Sequence, residues 1–207
     1  MSEQTAPLTL IAIHGNGGGG FRFDRMHPHL PADVNFLAPT LPGFANVPAD
    51  ANLRTMADYA AHIDRIVQAE TAPVVLLGTG IGGSLLLEYV QHYADHINGL
   101  ILHAPVGTRL ETRRFPALMN LPGARAFGKW LFSSTLTRPM FKRLLFVDHA
   151  AIPAEYLAQF FNEYRRSEAF SQMFDLITAD WYNALSPVGV PAALLWGAEE
   201  RVLSADH

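Results

Sequence analysis

The stretch Val74–Gly83, Val-Val-Leu-Leu-Gly-Thr-Gly-Ile-Gly-Gly, constrains this chain more than any other. An apolar run ends in glycines and passes into Ser84-Leu85-Leu86-Leu87-Glu88-Tyr89-Val90, whose apolar residues recur at helical spacing. The pattern reads as strand, sharp turn, helix. A strand that is apolar on both alternating faces is buried on both, which is the signature of a parallel sheet covered by helices. The turn at its carboxyl end is where such sheets present either a nucleophile or a cradle for phosphate.

The rest of the chain repeats this alternation. Leu8–Ile13 is a second apolar run, ending at His14-Gly15, and strands are also predicted over Val34–Ala38, Leu100–His103 and Val190–Trp196. Between them, helices are predicted over Phe21–Leu30, closed by Pro31, over Leu53–Glu70 and over 81–94. In Leu53–Glu70 the apolar Met56, Tyr59, Ala60, Ile63, Ile66 and Val67 recur three or four apart. From Thr108 to about Pro187 the alternation gives way to helical patterns over 123–133, 138–146, 153–165 and 168–183, rich in aromatic residues. The expected architecture is therefore α/β: an open parallel sheet of about five strands flanked by helices. Residues 1–107 and 188–207 make the core, and 108–187 form a helical cap inserted after the fourth strand.

Composition narrows the function classes. A chain of 207 residues with net charge −4 lacks the basic excess of a nucleic-acid binder. It has no cysteine, hence no disulfide framework and no thiolate metal site. No run of about eighteen apolar residues suggests a membrane span, and the N-terminus carries no basic cluster ahead of an apolar segment. A soluble, cytoplasmic protein is expected, with no cofactor.

Five motifs then fall into order. Gly78-Thr79-Gly80-Ile81-Gly82 matches the frame G-x-S-x-G at every position except the reactive one. His14-Gly15-Asn16-Gly17 follows the first strand and Leu41-Pro42-Gly43-Phe44 the second. Ala104-Pro105 leads into the helical insertion, and Leu194-Leu195-Trp196-Gly197-Ala198-Glu199-Glu200-Arg201-Val202 follows the last strand. On these motifs the chain resembles the α/β-hydrolase fold family, in its small capped form, over essentially its whole length; Thr40 replaces an Asp common in the family. The resemblance implies a nucleophile, a base and an acid that orients the base. Gly80 stands at the nucleophile position, with the serine absent, and the nearby hydroxyls of Thr79 and Ser84 lie off the apex. Glu200, with Glu199 beside it, stands at the acid position. The family's histidine comes last in chain order, after one further strand, and this sequence ends at His207, seven residues beyond Glu200. The expectation is a missing histidine segment. His103, at the carboxyl end of its strand, is left as the base candidate, although a structural role fits it as well. His14 reads as support for its loop. The backbone N–H groups of Asn16 and Ile81, beside Gly15, are expected to form an oxyanion-type site.

Three functional readings stay open. The first is a protein of hydrolase fold without hydrolysis, binding a small apolar or acyl-type molecule under its aromatic cap or serving as a subunit or scaffold. The second is a serine hydrolase of esters represented by an altered or shortened chain. The third is a nucleotide binder, because Gly78-x-Gly80-x-x-Gly83 and Gly15-x-Gly17-x-x-Gly20 also fit the dinucleotide fingerprint. Neither following strand ends in the acid that would hold a ribose. The strand over 191–196 is expected at a sheet edge, open to a second copy or another protein partner.

Overall fold

A computed structural model describes residues 7–107, 110, 118, 121–200 and 203 of the 207. The strands are β1 (Leu8–Ile13), β2 (Val34–Leu37), β3 (Val74–Thr79), β4 (Gly99–His103) and β5 (Ala192–Leu195). The helices are α1 (Met56–Val67), α2 (Ile81–Tyr93), α3 (Ala124–Ser133), α4 (Arg138–Leu145), α5 (Ala154–Arg166), α6 (Gln172–Leu176) and α7 (Ala179–Asn183). All four strand pairings are parallel, in the order β2-β1-β3-β4-β5, so β1 and β3 are central. This is the α/β class expected, with helices α3–α7 between the fourth and fifth strands.

Alternation along the strands divides the core between two faces. Ile11, Ile13, Leu76, Leu100 and Leu102 meet Tyr59, Ala60 and Ile63 of α1 and Leu85, Leu86 and Tyr89 of α2. On the other face Leu10, Ala12 and Leu77 pack with Phe23, Met26 and Leu30. Each large aliphatic side chain buried this way contributes roughly 1.5–3 kcal/mol. A third cluster, Phe141, Leu157, Phe160 and Phe161, is drawn from the helical segment, with Phe21 packed against it.

Three expected helices differ from what forms. Residues 21–30 make two short 3-10 turns, Gly20–Phe23 and His27–His29, with Pro28 in the second. A proline inside a helix removes one hydrogen bond and clashes with the preceding turn. The helix expected from Leu53 starts at Met56, because Thr55 and Asp58 form a reciprocal capping box that fixes its first turn. The stretch 168–183 is broken into a 3-10 turn, α6 and α7. Ile177 and Thr178 leave the helical region, and the Thr178 hydroxyl accepts the Trp181 N–H at 3.1 Å to restart the chain as α7. The last strand is an edge among the described residues, as anticipated, and it is exposed along its full length.

Candidate functional site at the carboxyl edge of the sheet

The strand registers gather the motifs. Ile13 pairs with Gly78 and Thr79 with His103, so the loops after β1, β3 and β4 emerge side by side at the carboxyl edge. At the turn after β3, Gly80 has φ +54° and ψ −118°, a conformation that glycine reaches at little cost and other residues reach under strain. Its backbone is fully used. The Gly80 N–H donates to His103 O at 3.0 Å, and Gly80 O accepts from Ser84 N at 3.2 Å and Val106 N at 3.3 Å. A Cβ at this position would meet nothing nearer than Gly15 Cα at 4.0 Å. The apex thus has room for a side chain that the sequence does not supply.

The neighbouring glycines have a different reason. A Cβ at Gly82 would overlap Ile13 O and lie 2.6 Å from His14 O, and one at Gly83 would lie 2.9 Å from Pro105 Cβ. These residues let α2 start tight against β1 and the loop after β4. Close approach thus accounts for Gly78 and Gly83 of the spacing that also fits a dinucleotide fingerprint, and the backbone conformation accounts for Gly80.

His14 is built into the scaffold. Its Nε2 accepts the Leu41 N–H at 3.0 Å, which leaves the proton on Nδ1 to donate to Gly15 O at 2.9 Å. The ring is 1 % exposed and packs edge-on against Phe44. Burial holds its pKa down at about 4, so the imidazole is neutral at pH 7. It ties the loop after β1 to the loop after β2. The adjacent Asn16 is locked as well: its Nδ2 donates to Phe170 O at 3.1 Å and its Oδ1 accepts the Gly17 N–H at 3.0 Å.

These loops border a cavity of about 350 Å³, within the usual range for small-molecule sites. The sheet edge contributes Gly15, Asn16, Thr79, Gly80, Ile81, His103, Glu199 and Glu200. The helical segment contributes Phe132, Leu145, Phe146, Phe160, Tyr164, Phe170, Met173, Phe174 and Ile177. All six candidate residues from the sequence, Gly15, Asn16, Gly80, Ile81, His103 and Glu200, thus border one space. Ile81 is the first residue of α2, whose N–H has no intrahelical acceptor. His103 is exposed, with Nδ1 3.3 Å from Thr79 Oγ1. The Glu200 carboxylate accepts the Leu203 N–H at 3.0 Å, which folds it back on its own loop. Ser84 is buried and donates to Val106 O, so that hydroxyl serves the scaffold. His207 lies outside the described residues.

The aromatic residues of the insertion divide by contact. Phe132, Phe160, Phe170 and Phe174 face the cavity, Phe141 and Phe161 are packed among helices, and Phe127 and Trp130 are exposed. The sequence pattern passed over one cavity residue of a different kind, Arg22, in the turn after the glycine run. A lone arginine beside Phe21 and Phe23 was its only signal. His92 and His96, four apart in sequence, go to separate partners, Glu88 at 2.9 Å and Asp64 at 2.7 Å. No group of three side chains suited to a metal ion exists among the described residues, nor, among them, does a helix long and apolar enough to cross a membrane.

An α/β sheet with a strand-turn-helix elbow and a cavity at its carboxyl edge is the arrangement of one large family of folds. The chain belongs to the α/β-hydrolase family, whose model matches residues 10–207. It is 26% identical over 208 aligned positions to the pimeloyl-[acyl-carrier protein] methyl ester esterase of Neisseria meningitidis serogroup B, across 97% of this chain and 78% of that one. Among solved structures it is similar in fold to an esterase from Exiguobacterium antarcticum, with a TM-score of 0.71 at 17% identity, over 96% of this chain and 76% of that one. A serine-to-glycine mutant of the N-acyl homoserine lactonase AidH, complexed with N-hexanoyl homoserine lactone, is similar with a TM-score of 0.68 at 18% identity, over 96% and 74% of the two chains.

Proposed function

We propose that this α/β-hydrolase-fold chain has lost, or very largely lost, acyl-transfer chemistry and binds a small apolar or acyl-type molecule in the cavity beside the elbow. Gly80 carries this reading: the apex of the elbow has no atom with which to attack a carbonyl. Loss of a triad nucleophile costs on the order of 10⁶ in turnover. In this reading residues 1–107 and 188–207 are the core and 108–187 act as a cap over the ligand. The N–H groups of Asn16 and Ile81, beside Gly15, serve as an oxyanion-type site that holds a carbonyl or carboxylate oxygen. Glu200 keeps the acid position, and His103 is the base candidate. The lactonase mutant, in which a serine is replaced by glycine and a lactone is bound, is a fold neighbour that supports binding without the hydroxyl. Pairing of the exposed β5 edge with a second copy belongs to the same reading, and a monomer in light scattering at micromolar concentration would remove that part.

A second reading is favoured by the relatives. The Neisseria protein is named an esterase, and a side chain at position 80 would find open space. On those grounds the chain is a serine ester hydrolase in altered form. One experiment separates the two: fluorophosphonate labelling and hydrolysis of a short acyl ester by this chain, beside Gly80→Ser. We expect no label and no turnover from the unaltered chain. Turnover by it would overturn the first reading, and efficient turnover by Gly80→Ser alone would favour the second.

A further inference from the structure

Among the described residues Arg22 is the one arginine or lysine of the cavity wall, and its surroundings are unusual for a charged group. Its guanidinium carbon lies 3.9 Å from the centroid of the Phe160 ring and 5.4 Å from that of Tyr164. On its other side is the glycine loop: Nη2 donates to Gly17 O at 3.1 Å, and a Cβ at Gly18 would lie 2.6 Å from Nε. The group is therefore held flat between backbone and aromatic rings, with little freedom to swing toward water. Its Nε is buried and has no hydrogen-bond partner among the described residues.

No described carboxylate forms an ion pair with it. The Glu163 carboxyl, on α5, is buried, and its Oε2 is also without a hydrogen-bond partner among the described residues. Burial pushes that carboxyl above the ordinary glutamate range, against the opposing pull of the nearby Arg166 and Arg22 cations. A buried donor left without a partner is destabilising, the more so on a charged group. A guanidinium fixed at the wall of a mostly apolar cavity is matched by an oxyanion, which forms a charge-assisted contact with it.

We infer that Arg22 is a specificity residue of the cavity, and that the molecule bound there is a monocarboxylic acid with an apolar body. Its carboxylate meets the guanidinium, and its chain lies along Phe132, Phe146 and Phe160. The inference rests on the binding function proposed above and narrows it: the ligand is an amphiphilic anion and not a neutral ester or hydrocarbon. The backbone donors at Asn16 and Ile81 are a separate anion site, on the elbow side of the same cavity.

The test is calorimetric titration of the full chain with octanoate and decanoate against octanol and decanol at neutral pH, repeated on Arg22→Gln and Arg22→Lys. We expect each acid to bind about tenfold more tightly than its alcohol, the effect of one charge-assisted contact. In Arg22→Gln that ratio falls close to one while alcohol binding is kept, and Arg22→Lys keeps most of the preference. A purely structural role for Arg22 would instead weaken acid and alcohol alike and leave their ratio standing. Should Arg22→Gln not fold, the Arg22 Nε–H resonance of the unaltered protein supplies the answer: it shifts with octanoate and stays in place with octanol. A ratio preserved in Arg22→Gln, or equal binding of acid and alcohol by the unaltered chain, overturns this inference and leaves the binding function standing. If no probe binds at all, both fall.

Discussion

Strands β3 and β5 are both parallel, both apolar and both lead to motifs of the family, yet they occupy opposite conditions. Leu76 and Leu77 of β3 lie between β1 and β4 with helices on one face and the 20–30 turns on the other, and Leu76 is 0% exposed. Leu194 and Leu195 of β5 pair with β4 only, among the described residues, and are 68% and 49% exposed. The hydrogen-bonded ladder is the same in kind on both. Burial is not a property of the strand; it comes from what stands on its two faces and beyond its edge. The elbow is tightly packed, because a Cβ at Gly82 would overlap Ile13 O and one at Gly83 would press on Pro105. The loop after β5 is held by contacts within itself, Trp196 Nε1 donating to Leu203 O and the Leu203 N–H to the Glu200 carboxylate.

The strongest way to break this contrast is at Gly82. Alanine there would drive a methyl into Ile13 O, backbone that cannot step aside. We expect Gly82→Ala to lose more than about 4 kcal/mol, the range reserved for core disruption, or to give no cooperative urea transition. Leu76→Ala comes next, with an expected loss of about 2–5 kcal/mol measured by the same urea titration.

His14 gives an effect of similar size that depends on pH. Its pKa is lowered from 6.5 to about 4 in the fold, so between those values the unfolded chain binds a proton that the native one refuses. The contribution is complete above pH 6.5 and is lost as pH falls toward 4, about 3 kcal/mol in all. Urea midpoints measured across that window should fall steadily, and the His14→Gln variant should show a flatter slope. The smallest effect is expected at β5, where Leu194→Ala should change stability by less than about 0.5 kcal/mol. A loss comparable with that of Leu76→Ala would mean that β5 is covered in solution.

Much of this was legible along the chain. The two-sided apolar runs at 8–13 and 74–77 specified parallel strands, and glycines at 78, 80 and 82 specified a tight crossing into a helix. The order of motifs carried the family, and the family model over residues 10–207 bears that out. Helix limits were less legible where a single residue overrides periodicity, as Pro28 does in the turns and Thr178 at the start of α7. The cavity wall was least legible. Nothing in the spacing of the insertion's aromatic residues separates Phe132, Phe160, Phe170 and Phe174, which face the cavity, from Phe141 and Phe161, which do not.

The sequence by itself determined the class of fold and the missing hydroxyl at Gly80, because local pattern and residue identity need no neighbours to be read. Tertiary structure alone decided that His14 is held neutral between the Leu41 N–H and Gly15 O, and that Arg22 faces the cavity on Phe160. Each of those depends on groups far apart in sequence, Leu41 for His14 and α5 for Arg22. Charge, burial and hydrogen bonding are properties of the contact, and only the folded chain makes the contact.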